Sequence, residues 1–188
     1  MHRVAYLASA LNALAAAAMV FLLRPGLLGD HAWLATHRPA WIAGWLLWQA
    51  AAIALVAFYV VLSMRWRERA PIRTRLAPFV AAAGLAADLT AETMLMIDPT
   101  ATFRIASALT GYLGNGLYTV AGILLLTAGA RGLPRFLVLL GAATFAAGIA
   151  LSATSLAEWP IGEMAATAAL MPLFVIWSFG MGRWLRAS

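Results

Sequence analysis

Six stretches of 18 to 23 residues, spaced along nearly the whole chain, contain no basic residue: 4–23, 41–63, 76–97, 105–127, 136–154 and 164–181. Apolar runs of about twenty residues match a hydrocarbon layer about 30 Å thick when helical. The recurrence of such runs predicts an all-α, polytopic integral membrane bundle of six transmembrane helices, forming a single transmembrane domain over residues 1–188. Only 11% of the residues are charged and the mean hydropathy is +0.87, whereas a soluble domain carries about a quarter charged residues. The longest connection, 24–40, leaves no room for a soluble domain. The first run follows Met1, His2 and Arg3 as a signal peptide would. Arg24, Pro25 and Gly26 stand where a small-residue cleavage site would be, so it reads as an uncleaved first helix.

Orientation follows from the arginines, which supply all thirteen basic residues. A cytoplasmic N-terminus places Arg3, Arg65, Arg67, Arg69, Arg73, Arg75, Arg131, Arg135, Arg183 and Arg186 inside, and only Arg24, Arg38 and Arg104 outside. That asymmetry predicts that N-terminus and C-terminus are both cytoplasmic, in a bacterial-type inner membrane. The net charge of +6 has this positional cause, so nucleic acid is not an expected partner, whereas membrane lipids are.

The absences narrow the chemistry. Without cysteine there are no disulfides, thiol nucleophiles, thiolate zinc sites or iron–sulfur clusters. Without lysine there is no Schiff base. His2, His31 and His37 all lie outside the apolar runs, and with Asp30 they match no metal-ligand spacing, so neither a cofactor nor a metal is expected. Serine-hydrolase, zinc-protease, nucleotide-binding and diphosphate-binding motifs are missing as well.

Tryptophans and small residues suggest how the helices sit. Trp33, Trp41, Trp45 and Trp159 mark one boundary and Trp66, Trp177 and Trp184 the other, where an indole keeps its N–H wet. Trp41, Trp45 and Trp48 share one helical face, which also makes them a candidate aromatic wall for a ligand. Thr144, Gly148 and Ser152, and Ala83, Ala87 and Ala91, have the spacing of close helix contacts, which points to the third and fifth spans as central. Asp98 and Arg104 bracket a tight turn and are expected to form a surface ion pair.

Asp88 and Glu92 are the only ionisable acids or bases within the six spans. An acid at the centre of a bilayer costs about 2.5–3.5 kcal/mol, so such residues face a bundle interior or a wet cavity and mark a functional path. The i, i+4 spacing places both on one face, with Gly84 continuing the stripe. A rise of about 1.5 Å per residue puts Asp88 about 13 Å deep, Asn115 about 15 Å, Gln49 about 12 Å and Asn12 about 16 Å. Four helices thus contribute to one polar layer near the midplane. Glu92, about 7 Å deep, and Tyr112, about 10 Å, sketch a route from the outer surface to it.

Three functions fit these residues. The first is a carrier or binding protein for a small solute or a lipophilic or cationic ligand. Here Asp88 is the protonation switch, Glu92 the relay, and Asn12, Gln49, Trp45, Trp48, Tyr112, Asn115 and Tyr118 the ligand contacts. The second is a metal-free membrane enzyme of isomerase or cyclase type, with Asp88 and Glu92 as acid and base. The third is an accessory subunit, or one member of a homo-oligomer, whose acids only hydrogen-bond Asn115 or Tyr118 to hold helices together.

Overall fold

The computed structural model describes residues 1–187, is 92% helical, and has no strand among those residues. Six helices are long and apolar enough to cross a membrane: α1 (His2–Leu27), α3 (Arg38–Trp66), α4 (Pro71–Ile97), α5 (Pro99–Gly132), α6 (Arg135–Leu156) and α7 (Pro160–Ala187). A short α2 (His31–Thr36) lies in the connection between the first two. Proline opens four of the long helices or sits one residue inside them, at Pro39, Pro71, Pro99 and Pro160, where its missing N–H has no partner to lose.

Each long helix packs against the one before it and the one after it, and α7 returns against α1, so the six form a ring in chain order. Ser9 of α1 donates to the Val175 carbonyl of α7 across the closing contact at 2.9 Å. A ring has no central helix. The expectation that the third and fifth spans are central therefore gives way to a ring in which α3 and α5 also touch across it, at Tyr59 and Gly122.

One of the two small-residue stripes sits where its spacing placed it. Gly148 faces the Thr119 side chain of α5 with no room for a Cβ, and Ser152 stands opposite Gly116. The alanine stripe of α4 is corrected: Ala83 is exposed and Ala87 half-buried, while Ala77, Ala81, Gly84, Asp88 and Ala91 are buried. The face that packs is thus the face that carries the acids. At Gly84 an added Cβ would meet the Gly114 carbonyl at 3.0 Å, which is why α4 and α5 approach so closely there.

The ends of the helices also depart from expectation. Asp98 does not pair with Arg104; its Oδ1 accepts from the amides of Thr100 at 3.2 Å and Ala101 at 3.0 Å and so caps α5. Arg104 pairs instead with Glu158 at 3.0 Å, both largely exposed. Arg38 donates to the carbonyls of Met96 and Ile97, the latter at 2.6 Å, and Trp41 Nε1 donates to Leu95 O at 2.8 Å. Together they satisfy the last carbonyls of α4, which a helix end leaves open.

Four tryptophans expected to anchor at a boundary are packed inside the bundle instead: Trp41, Trp45, Trp66 and Trp177 are each at most 3% exposed. Phe58, Phe145 and Phe174 pack around Trp177, with ring centroids 5.2–6.1 Å apart. Trp184 lies under the Arg65 guanidinium, 5.7 Å from the ring centroid.

The core has two parts. Leu23, Trp41, Trp45, Ala91, Leu95 and Ala106 fill the end that carries α2. Phe58, Leu62, Trp66, Leu125, Trp177 and Met181 fill the arginine-rich end.

Candidate functional site

Between these two clusters lies a cavity of about 60 Å³, and every one of the six long helices contributes to its wall. Asn12 comes from α1, Trp48 and Tyr59 from α3, Asp88 from α4, Asn115 and Tyr118 from α5, Thr144 and Phe145 from α6, and Phe174 from α7. Asp88 is the only carboxyl group on the wall, and no basic residue lines it.

A break in helical regularity positions Asp88. Over Ala108–Gly114, α5 widens into a π-helix, a feature that appears mostly as short bulges, frequently at functional sites. Gly111 and Gly114 lie in this segment, where their weak helix preference makes the departure cheap. The bulge turns Thr110 toward α4, so that its hydroxyl donates to Asp88 Oδ1. Asn115 Nδ2 donates to the Thr110 carbonyl at 2.9 Å and satisfies backbone in the widened turn. Gly114 gives Asp88 its room, since a Cβ there would sit 3.1 Å from Oδ1.

Of the residues singled out in the sequence, the structure brings together Asn12, Trp48, Asp88, Asn115 and Tyr118. Tyr118 stands beside Asp88 with its hydroxyl buried against that carboxyl. Asn12 donates to the carbonyls of Ala8 at 2.8 Å and Ala51 at 3.3 Å, tying α1 to α3.

Gln49, Trp45, Tyr112 and Glu92 fall elsewhere. Trp45, Trp48, Ala52, Leu55 and Tyr59 follow one stripe of α3 and Gln49 lies beside it, donating to Thr93 at 3.4 Å. Depth along a helix says nothing of direction around it, and that is why the layer argument admitted Gln49. Trp45 belongs to the cluster at the α2 end, edge-on to Trp41 at 5.4 Å. Tyr112 is 44% exposed, because the π-bulge rotates it off the face it would share with Asn115 in a regular helix.

Glu92 is fully buried one turn from Asp88 toward the α2 end, and neither of its oxygens has a hydrogen-bond partner. It is sealed, so no open polar route from the α2 end runs through it and Tyr112. The bond that ties α4 to α5 comes from Thr110, with the Tyr118 hydroxyl beside the same carboxyl, and Asn115 turns to the Thr110 carbonyl instead of an acid.

Sequence reasoning missed Thr110, Tyr59, Thr144, Phe145 and Phe174. A threonine followed by Gly111 and Gly114 is the one signal that pointed to Thr110. Tyr59, Phe145 and Phe174 carry no signal in an apolar run that sets them apart from its other apolar residues. The chain matches no family model, no curated protein and no solved structure, so the site rests on its own geometry.

Proposed function

We propose that this chain is an integral membrane protein that binds, and carries, a small polar ligand in the cavity at the centre of its ring. One observation carries the reading: six helices converge on a space that holds a single carboxyl group with no basic residue beside it. An acid placed so deep inside a bundle is costly unless a ligand or a proton meets it there. A cavity of about 60 Å³ admits a few waters or a small solute. It is too small for the lipophilic substrate of an isomerase or cyclase, which is the observation that favours carrier over enzyme.

The six apolar helices support membrane insertion, and the arginines support its direction. All of Arg3, Arg65–Arg75, Arg131, Arg135, Arg183 and Arg186 fall at one end of the ring, which on the positive-inside rule is the cytoplasmic end of an inner-membrane protein. The natural absence of cysteine makes this simple to check. A single cysteine at Gly29 is expected to react with an impermeant maleimide on intact cells, and one at Arg67 only after the cells are opened. The reverse pattern would invert the topology.

Infrared difference spectroscopy of the protein in lipid tests the site itself, with Asp88→Asn assigning the band. The Asp88 carboxyl is expected to titrate with bulk pH and to exchange with deuterium within minutes. A band that stays silent from pH 4 to 10 would show a carboxyl closed to water, and the carrier reading would fall.

A further inference from the structure

We propose that the ligand of this cavity is a small organic cation, an ammonium or alkylammonium ion of at most about four heavy atoms; the proposal rests on the reading of the cavity as a ligand site.

The charge balance comes first. Asp88 is 2% exposed, and the one ion pair among the described residues, Arg104–Glu158, is on the surface. Thr110 donates to Oδ1, and the only other group beside the carboxyl among the described residues is the neutral Tyr118 hydroxyl. The protein supplies no counter-ion here, and a bound cation would be one.

The hydrogen-bonding inventory points the same way. Asn12 has both amide hydrogens directed at backbone carbonyls, Asn115 donates to Thr110 O, Thr110 donates to Asp88, and Thr144 donates to Leu140 O at 2.8 Å. The donors of Asn12, Thr110 and Thr144 are thus turned into the protein, and the side-chain oxygens of Asn12 and Asn115 are left as acceptors on the wall that Asp88 shares. Tyr118, 6% exposed, adds a neutral hydroxyl beside the carboxyl. A carboxylate with amide oxygens on the same wall favours a ligand that donates and disfavours anions.

The rings complete the match. Trp48, Tyr59, Tyr118, Phe145 and Phe174 reach the cavity from four helices. Aromatic faces carry negative potential, and a desolvated ammonium among them is attracted to ring and carboxylate together. Size sets the limit, since about 60 Å³ holds methylammonium or dimethylammonium but not a bulky quaternary ion.

Equilibrium binding of radiolabelled methylammonium to the full chain in lipid nanodiscs at pH 7 tests this, with labelled acetamide as the neutral solute of similar size. Saturable methylammonium binding is expected, displaced by ammonium and dimethylammonium and not by tetraethylammonium or acetate. Asp88→Asn is expected to weaken it more than tenfold. Phe145→Leu, which keeps an apolar side chain but removes a ring, is expected to weaken methylammonium at least threefold more than any binding of acetamide. This second variant carries the test should Asp88→Asn fail to fold.

Three results would overturn the proposal: no saturable methylammonium binding to the wild type, retention of binding by monodisperse Asp88→Asn, or equal losses of methylammonium and acetamide in Phe145→Leu. Acetamide binding without methylammonium binding, or a titrating Asp88 carboxyl that ignores methylammonium, removes the cation and leaves the ligand site standing. A silent carboxyl removes both.

Discussion

Gly122→Leu is expected to destabilise the protein by about 3 kcal/mol, the upper end of what overpacking typically costs. An added Cβ at Gly122 would land on the Phe145 ring and lie 2.7 Å from the Tyr59 hydroxyl. Those residues belong to α6 and α3, so three helices meet at the position. No one of them can retreat alone. Both residues also line the cavity, so any relief of the clash pushes them into it, and ligand binding should be lost with stability. Denaturant titration in mixed micelles measures the first effect and methylammonium binding the second. Gly116→Ala is the control: the nearest atoms to its new Cβ belong to Ser152, at 3.5 and 3.9 Å. These are ordinary contacts, and a change within about 0.5 kcal/mol is expected. Equal behaviour of the two variants would mean that α3, α5 and α6 do not converge at Gly122.

Glu92→Met is expected to act in the opposite direction, stabilising the fold by about 1–3 kcal/mol. Both oxygens of Glu92 are buried without a partner, and such groups cost more than the apolar side chain that replaces them. Methionine has similar length and adapts to irregular space. If Glu92 hands protons to Asp88 one turn away, the more stable variant will carry ligand more slowly, the usual exchange between stability and function at working sites. A loss of stability would instead show that Glu92 holds two helices together. Its role would then be structural. The same denaturant titration decides, with transport in vesicles as the second readout.

The number and placement of the long helices were legible because apolar run length is read directly against a physical thickness. The helices extend beyond the apolar runs where caps do. Asp98 starts α5 at Pro99, well before Ile105, and the Asp-Pro pair was visible but read as one half of an ion pair. The polar layer was partly legible, since Asn12, Asp88 and Asn115 do meet. Gln49 was included because rise along a helix fixes height and leaves azimuth open. Tyr112 was included because a regular period of 3.6 was carried through a segment that widens into a π-helix. That widening depends on two glycines, on Asn115 taking the Thr110 carbonyl and on Asp88 opposite, a conjunction that no single helix encodes. The tryptophans misled for a related reason. An indole on an apolar helix suits a boundary and a ring interior equally, and only the closure of the ring decides between them.

That closure has a consequence for how the molecule comes to exist. Neighbours in the ring are neighbours in the chain, so five of the six seams form between consecutive helices as each is added. The sixth seam, between α1 and α7, joins the first helix to the last. Until it forms, the aromatic wall lacks Phe174 and the chamber has an open side through which Asp88 faces whatever surrounds the bundle. An unfinished chain is therefore an arc without the chamber. On the proposed function, binding competence arrives in a single step, with the last helix.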